Sequence, residues 1–255
     1  MNDPRHILIT GGSSGIGRAL ALAYAADGVV LYLSGRDAAR LADTAEACRA
    51  RGAQAHTALV EVSDRAAMAQ WIGAADAAHP LDLVVANAGI SGGTAGRADG
   101  EPLAQARRIF AVNLDGVLNT LEPVLPAMIA RGRGQIAIVS SLSGYRGWPG
   151  APAYSASKGA VRFYGEALRG ALKRTGVRVS VILPGFVESR ITAVNDFPMP
   201  FFLRADDAAA RIKRGLARDK GRIAFPAPTH FIAWLIGALP DPLAQYIQCR
   251  MPDKS

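Results

Sequence analysis

The sequence predicts an α/β fold, a doubly wound parallel β-sheet with helices on both faces. Three observations carry that expectation. Short apolar runs alternate with stretches of helical periodicity along most of the chain, the pattern of strands joined by helical crossovers. The apolar runs are nearly continuous, as expected of strands covered on both faces. The first run ends in a Gly/Ser turn that leads straight into a helical pattern, an arrangement that points a helix N-terminus at a bound anion.

The elements follow in order. His6 to Thr10 is the first strand, and a helix runs from about Ile16 to Asp27. Val29 to Ser34 is the second strand, after which Leu41, Ala45 and Cys48 recur at helical spacing. Thr57 to Val62 and Leu81 to Asn87 read as the third and fourth strands. Ser91 to Gly100 reads as a mobile Gly-rich loop, and one long helical stretch follows from about Pro102 to Arg131. Gln135 to Ser140 is the fifth strand, Tyr154 to Thr175 a helix, and Val177 to Leu183 the sixth strand. No repeat or linker divides the chain, so one domain over residues 1–255 is expected, with about 190–255 as a substrate lid and C-terminal extension.

Half of the 255 residues are hydrophobic and 20% are charged, which suits a sizeable core and excludes a disordered chain. Cys48 and Cys249 do not make a disulfide framework and read as thiols in a reducing compartment. The segment Met1 to His6 has no apolar core of a secretory signal, and no run is as long as a membrane span, so a cytoplasmic protein is expected. The net charge of +8 comes without a nucleic-acid motif. It suits a phosphate-bearing cofactor or an anionic lipid surface. No metal ligands stand among the candidate residues.

The turn reads Thr10-Gly11-Gly12-Ser13-Ser14-Gly15-Ile16-Gly17. Its glycines permit a tight turn and close approach of backbone to a pyrophosphate, which would meet the free N–H groups and positive dipole end of the following helix. By itself the turn also fits an ordinary helix N-terminus. Its spacing, G-x-x-x-G-x-G, resembles the short-chain dehydrogenase/reductases, and further motifs of that family follow in order. They are Asn87-Ala88-Gly89, Asn113, Ser141, Tyr154 with Lys158, and Pro184-Gly185. The resemblance covers residues from about 6 to 190 and implies a Rossmann-like sheet and a nicotinamide cofactor.

The second strand ends Ser34-Gly35-Arg36. An acid at Gly35 would hold the ribose hydroxyls of NAD. Arg36 can instead bind a 2′-phosphate through charge-assisted hydrogen bonds, with Ser34 as a further donor. NADP(H) is therefore expected ahead of NAD(H). Where the family often has Asp-Val at the adenine edge, this chain has Glu61-Val62.

Tyr154 and Lys158, four apart, share one helix face. A free phenol titrates near pH 10, too high for efficient proton exchange at neutral pH. A lysine cation nearby is expected to lower it. Ser141 stands thirteen residues before Tyr154, the family's spacing for its catalytic serine, and its hydroxyl would polarise a carbonyl held beside the phenol. Ser140 is the weaker choice. The resemblance gives Lys158 a second role on the nicotinamide ribose and Asn113 a place in a proton relay through water to Lys158. It also implies that Asn87, Ala88 and Gly89 wall the cofactor, that Pro184, Gly185 and Val187 wall the nicotinamide carboxamide, and that Ser189 stands in for a threonine. The expected cofactor set is thus Gly11, Ser13, Ser14, Gly15, Ile16, Gly17, Ser34, Arg36, Glu61, Val62, Asn87, Ala88, Gly89, Tyr154, Lys158, Pro184, Gly185, Val187 and Ser189, with Asn113, Ser141, Tyr154 and Lys158 as the catalytic set.

The expected activity is NADP(H)-dependent interconversion of a ketone and a secondary alcohol. The alternative is a non-catalytic NADP(H)-binding sensor on the same fold. Phe186 to Arg204 should form a lid, whose Phe197-Pro198-Met199-Pro200-Phe201-Phe202 offers an apolar surface for a bulky or lipid-like substrate, or else an outer core layer. Arg211 to Arg222 holds six basic residues, and Thr229 to Leu239 is apolar on all sides. That pair of segments could meet a membrane surface, a subunit or the core. A homodimer or homotetramer is expected, as in the family, through the two long helices, with Leu114, Val117, Leu118, Val161 and Leu168 as contacts.

Overall fold

The computed structural model describes residues 3–96, 100–195 and 197–250. Seven strands, β1 (His6–Ile9), β2 (Val30–Gly35), β3 (Gln54–Leu59), β4 (Leu83–Ala86), β5 (Gly134–Val139), β6 (Val177–Pro184) and β7 (Arg222–Phe225), form one sheet in the order β3-β2-β1-β4-β5-β6-β7. Every neighbouring pair is parallel. The winding reverses between β1 and β4, which opens a crevice at the C-terminal ends of those strands.

Successive side chains of a strand face opposite sides, and the core divides accordingly. On one side Ile7, Ile9, Leu31 and Leu33 pack against α1 (Gly15–Tyr24), α2 (Ala38–Arg49) and a later helix, Ala205–Ala217, through Leu20, Leu41, Ile212 and Leu216. On the other, Leu8, Val30, Val84 and Ile138 meet Met68 and Ile72 of α3 (Arg65–Ala78) and residues of the helices described next. Each such side chain contributes roughly 1.5–3 kcal/mol when fully buried.

The long helix expected over Pro102–Arg131 is broken. It comprises α4 (Leu103–Phe110), a π-helical turn at Ala111–Asp115, α5 (Gly116–Leu121) and α6 (Leu125–Ala130). Pro123 has no N–H for a helical bond, and Pro126 is accommodated in the first turn of α6. The third strand ends at Leu59, level with Gly35 of β2. Residues 60–62 therefore run on past the sheet edge, where a site can use them. The helix α3, capped by Asp64 on the Ala67 N–H at 3.0 Å, and the strand β7 have no counterpart in the sequence reading.

After β5 come a 3-10 turn at Leu142–Tyr145 and α7 (Pro152–Ala171). After β6 come α8 (Arg190–Ala193), α9 (Ala205–Ala217), β7, α10 (Ala227–Ala238) and α11 (Asp241–Gln248). Within the expected mobile loop, residues 97–99 lie outside the described residues. The remainder is held by the Thr94 N–H on the Gly150 carbonyl at 3.0 Å and by Gln105 on the Gly93 carbonyl at 3.0 Å. No helix among the described residues is long and apolar enough to cross a membrane.

Candidate active site

The site starts from the turn after β1. Ser14 is extended, and no side chain caps the first turn of α1, so its leading N–H groups have no side-chain partner. A Cβ on Gly17 would fall far inside contact with the Gly11 carbonyl oxygen and the Asn87 amide. Only glycine lets the helix approach the turn this closely. The Thr10 hydroxyl accepts the Asn87 and Ala88 N–H groups at 3.0 and 3.1 Å, and the Asn87 amide donates to the Thr10 and Gly11 carbonyls at 2.9 and 3.2 Å. The ends of β1 and β4 are thereby clamped into one wall.

That wall borders a cavity of about 640 Å³ at the C-terminal edge of the sheet. Gly11, Ser13, Ser14, Gly15, Ile16, Ser34, Arg36, Glu61, Val62, Asn87, Ala88, Gly89, Ser141, Tyr154, Lys158, Pro184, Gly185, Val187 and Ser189 all line it. Of the expected residues, Gly17 and Asn113 stand behind the lining. Ser189 also caps α8 through the Thr192 N–H, and Thr192 in turn donates to the Val187 carbonyl at 2.8 Å.

At the end of β2, the Arg36 Nε lies 3.9 Å from the Glu61 carboxylate, with both side chains nearly half exposed. The longer acid at position 61 thus faces the arginine. Ser34 lines this end of the cavity, and its buried hydroxyl has no hydrogen-bond partner. A second guanidinium, Arg40, lines the same end and pairs with Asp37 at 2.7 Å. Sequence reasoning passed it over, although four residues after Arg36 is one turn into the helix whose start flanks this end of the cavity.

Tyr154 and Lys158 lie in the first turns of α7. The Glu101 carboxylate accepts the Ala153 N–H at 2.8 Å and so anchors that end. The Ser141 hydroxyl hydrogen-bonds the Tyr154 phenol, and it accepts the Ser143 N–H at 3.1 Å. The Ser143 N–H thus fixes the hydroxyl oxygen and leaves its proton to point at the phenol oxygen or at a substrate oxygen beside it. Ser140 is instead committed to the Lys158 carbonyl at 2.6 Å. The Lys158 ammonium is buried, donates to the Val139 carbonyl at 3.0 Å and lies 6.0 Å from the Tyr154 ring centre.

Burial lowers the Lys158 ammonium to a pKa of about 8. Burial also pushes the Tyr154 phenol up, against a smaller lowering by Ser141. The direction is opposite to the expected depression, and its largest cause is desolvation. The Asn113 carboxamide accepts the Ile90 N–H at 2.8 Å and donates to the Ile90 carbonyl and the Ser157 hydroxyl at 2.9 and 3.0 Å. Both amide protons are used to join the β4 loop to α7.

The far wall is apolar. The segment expected as a lid is closed at its base by Val187 and Leu203, whose neighbouring backbone bonds measure 2.9 and 3.0 Å. Phe197 packs edge-on to Phe186 at 6.0 Å and tilted to Trp148 at 6.5 Å. Phe201 and Phe202 are exposed rather than part of an outer core. Opposite the lid, Ile232, Ala233 and Ile236 of α10 complete the wall, a contribution hidden in the sequence because an all-round apolar helix does not declare which face points inward.

The profile of the short chain dehydrogenases matches residues 5–197. An oxidoreductase of Myxococcus xanthus (strain DK1622) is 42% identical over 240 residues, covering 94% of each chain. Among solved structures, a 3-ketoacyl-ACP reductase from Sinorhizobium meliloti 1021 superposes with a TM-score of 0.76 at 31% identity, over 89% of this chain and 99% of that one. A 3-oxoacyl-[acyl-carrier protein] reductase from Brucella melitensis with bound NAD gives 0.74 at 29% identity, over 86% and 89%.

Proposed function

The chain belongs to the short-chain dehydrogenase family, and we propose that it interconverts a ketone with a bulky apolar body and the corresponding secondary alcohol, using NADP(H). The observation that carries the reaction is the Ser141–Tyr154 hydrogen bond beside buried Lys158, in the wall of the cavity that also holds the glycine turn. The residues present fit a nicotinamide dinucleotide: an uncapped helix N-terminus and a glycine turn for its pyrophosphate, and two guanidinium groups at one end of the cavity. Bound there, the cofactor supplies or accepts a hydride. Asn87, Ala88 and Gly89 would flank it, and Pro184, Gly185, Val187 and Ser189 would border its nicotinamide half.

The protein's own part is to grip one oxygen and move one proton. Ser141 donates its hydroxyl proton to the carbonyl oxygen and polarises it. Tyr154, kept protonated by burial, donates to the same oxygen as charge builds on it. Lys158 stands behind the phenol and would reach the ribose hydroxyls. A protonated phenol favours the direction of reduction. The aromatic lid and α10 exclude water and suit an apolar substrate body. A screen of aliphatic and aromatic ketones of increasing size for NADPH oxidation tests the reading. Consumption of NADPH by none of them would defeat it.

Arg36→Asp is expected to shift the ratio of kcat/KM for NADPH over NADH by about ten- to a hundredfold toward NADH. That is the loss of one charge-assisted contact, about 1.5–3 kcal/mol. An unmoved ratio would assign the 2′-phosphate to another group.

Oligomerisation is proposed through α4, α5 and α7. Val117 and Val161, expected at that contact, are buried in the monomer core. Leu118 and Phe163 are the exposed apolar residues of α5 and α7. Phe163→Glu is accordingly expected to lower the sedimentation coefficient of a micromolar solution, and a wild type that already sediments as a monomer would remove this interface.

A further inference from the structure

We propose that the outer face of α10, together with the exposed tip of the lid, is a lipid-docking surface, and that the cavity mouth opens onto the bilayer it rests on. A helix on the surface of a water-facing protein ordinarily turns polar residues outward. In α10 none of the twelve residues is buried, and the outward side chains are Phe231, Trp234 and Leu235, exposed to 59%, 48% and 43%. Phe201 and Phe202 extend the apolar surface from the lid.

The exposure is not that of a peeled-off tail. The Tyr145 hydroxyl and His230 Nε2 hydrogen-bond at 2.8 Å, and the Arg146 guanidinium donates to the Leu239 carbonyl at 2.9 Å and to Asp241 at 2.5 Å. The Gln248 amide donates to the Gly147 carbonyl at 2.8 Å. These four hydrogen bonds tie α10 and α11 to residues 145–147 and hold the helix as a fixed platform. Its other side reaches the cavity, and Ile232 is both half exposed and part of the lining. Val194 of the lid is likewise exposed and part of the lining. At Ile232 and Val194 apolar surface therefore runs from outside into the cavity, with the exposed Arg190 also at the lining.

A lipid surface fits this better than a second copy of the chain. The occupant must leave the mouth accessible, and a bilayer is itself the phase from which an apolar ketone would arrive. The exposed apolar residues suited to a twofold mate, Leu118 and Phe163, lie on α5 and α7, helices that pack on the sheet face opposite α1 and α9. With twelve residues, α10 would lie in the interface rather than cross it. Of the basic stretch, Lys213 donates to the Ala23 carbonyl and sits 4.8 Å over the Tyr24 ring at the C-terminal end of α1, and Arg222, 5.8 Å from the Tyr145 ring beside α10, is paired with Glu166 at 2.7 Å. Docking is therefore mainly apolar, and only weakly reduced by salt.

The test is flotation of the full chain with vesicles of phosphatidylcholine and phosphatidylglycerol at low and high salt. The wild type should float at both. Phe231→Ser combined with Leu235→Ser should weaken binding at least about tenfold, with NADPH binding and the melting temperature unchanged. Should that pair prove unstable, Trp234→Ala supplies the same comparison. Absence of wild-type binding at low salt overturns the proposal. So does binding that survives these substitutions, and so does a change in sedimentation of the protein alone without any vesicle binding, which would assign the face to a second copy. None of these outcomes depends on turnover, so failure here leaves the reductase reading standing.

Discussion

Tyr154→Phe is expected to lower kcat for ketone reduction by at least about a thousandfold while leaving NADPH affinity within about threefold of the wild type. Positioned proton transfer contributes about 10²–10⁴ in rate, and phenylalanine keeps the ring while removing the phenol that meets Ser141. Burial keeps that phenol protonated at neutral pH, so the wild type needs no prior protonation step. Its loss leaves the developing negative oxygen with the Ser141 hydroxyl alone. Ser141→Ala should have the smaller effect, about a hundredfold, because it removes polarisation but leaves the proton donor. The measurements are single-turnover NADPH oxidation and fluorescence titration of NADPH on the folded variants. Ketone reduction by folded Tyr154→Phe at near wild-type rate would remove Tyr154 from the chemistry.

The parts of this molecule legible in the sequence are those set by local chemistry. The turn from Thr10 to Gly17 is readable because a tight approach of helix to turn admits only glycine at Gly17, so the steric demand is written as a residue type. Tyr154 and Lys158 are readable because helical spacing alone brings them to one face. What was not legible depends on distant partners. β7 is four residues long with a charged first residue, and its strand state follows from pairing with β6. The end of β3 is set by its register on β2 rather than by its own apolar run. Arg40 becomes a site residue because α2 starts beside the cavity. Asn113 was recognisable as a site residue, but the commitment of its carboxamide to Ile90 and Ser157 comes from segments 23 and 44 residues away. The direction in which Tyr154 titrates also depends on tertiary structure. Spacing sets how near Lys158 can come, but the depth of burial decides the outcome.

Lys158→Met is expected to abolish most activity and yet to reverse a cost in stability that depends on pH. On the activity side, kcat/KM should fall by about a hundredfold or more, and NADPH affinity by about tenfold. The variant loses both the cation behind the phenol and the donor to the ribose, each of the order of one charge-assisted contact or more. On the stability side, burial holds the Lys158 ammonium at a pKa of about 8 in the folded protein against 10.5 for an ordinary lysine. Below pH 8 both folded and unfolded chains carry the charge, and the fold bears the full cost of burying it. Between about 8 and 10.5 the unfolded chain binds a proton that the folded one has released, so wild-type stability gains as pH rises from this group. The methionine variant has no such dependence. The difference in unfolding free energy, variant minus wild type, should therefore be most positive below pH 8 and decline by a few kcal/mol toward pH 10.5, whatever constant the unpaired Val139 carbonyl adds. Urea titrations of both proteins across that range measure it. The same ionisation should end activity, because wild-type kcat/KM for reduction falls as pH passes about 8 and the charge is lost, whereas in Lys158→Arg the residual activity should show no limb there. A flat stability difference would mean that Lys158 keeps its ordinary affinity for a proton, and the buried ammonium would then cost the fold nothing.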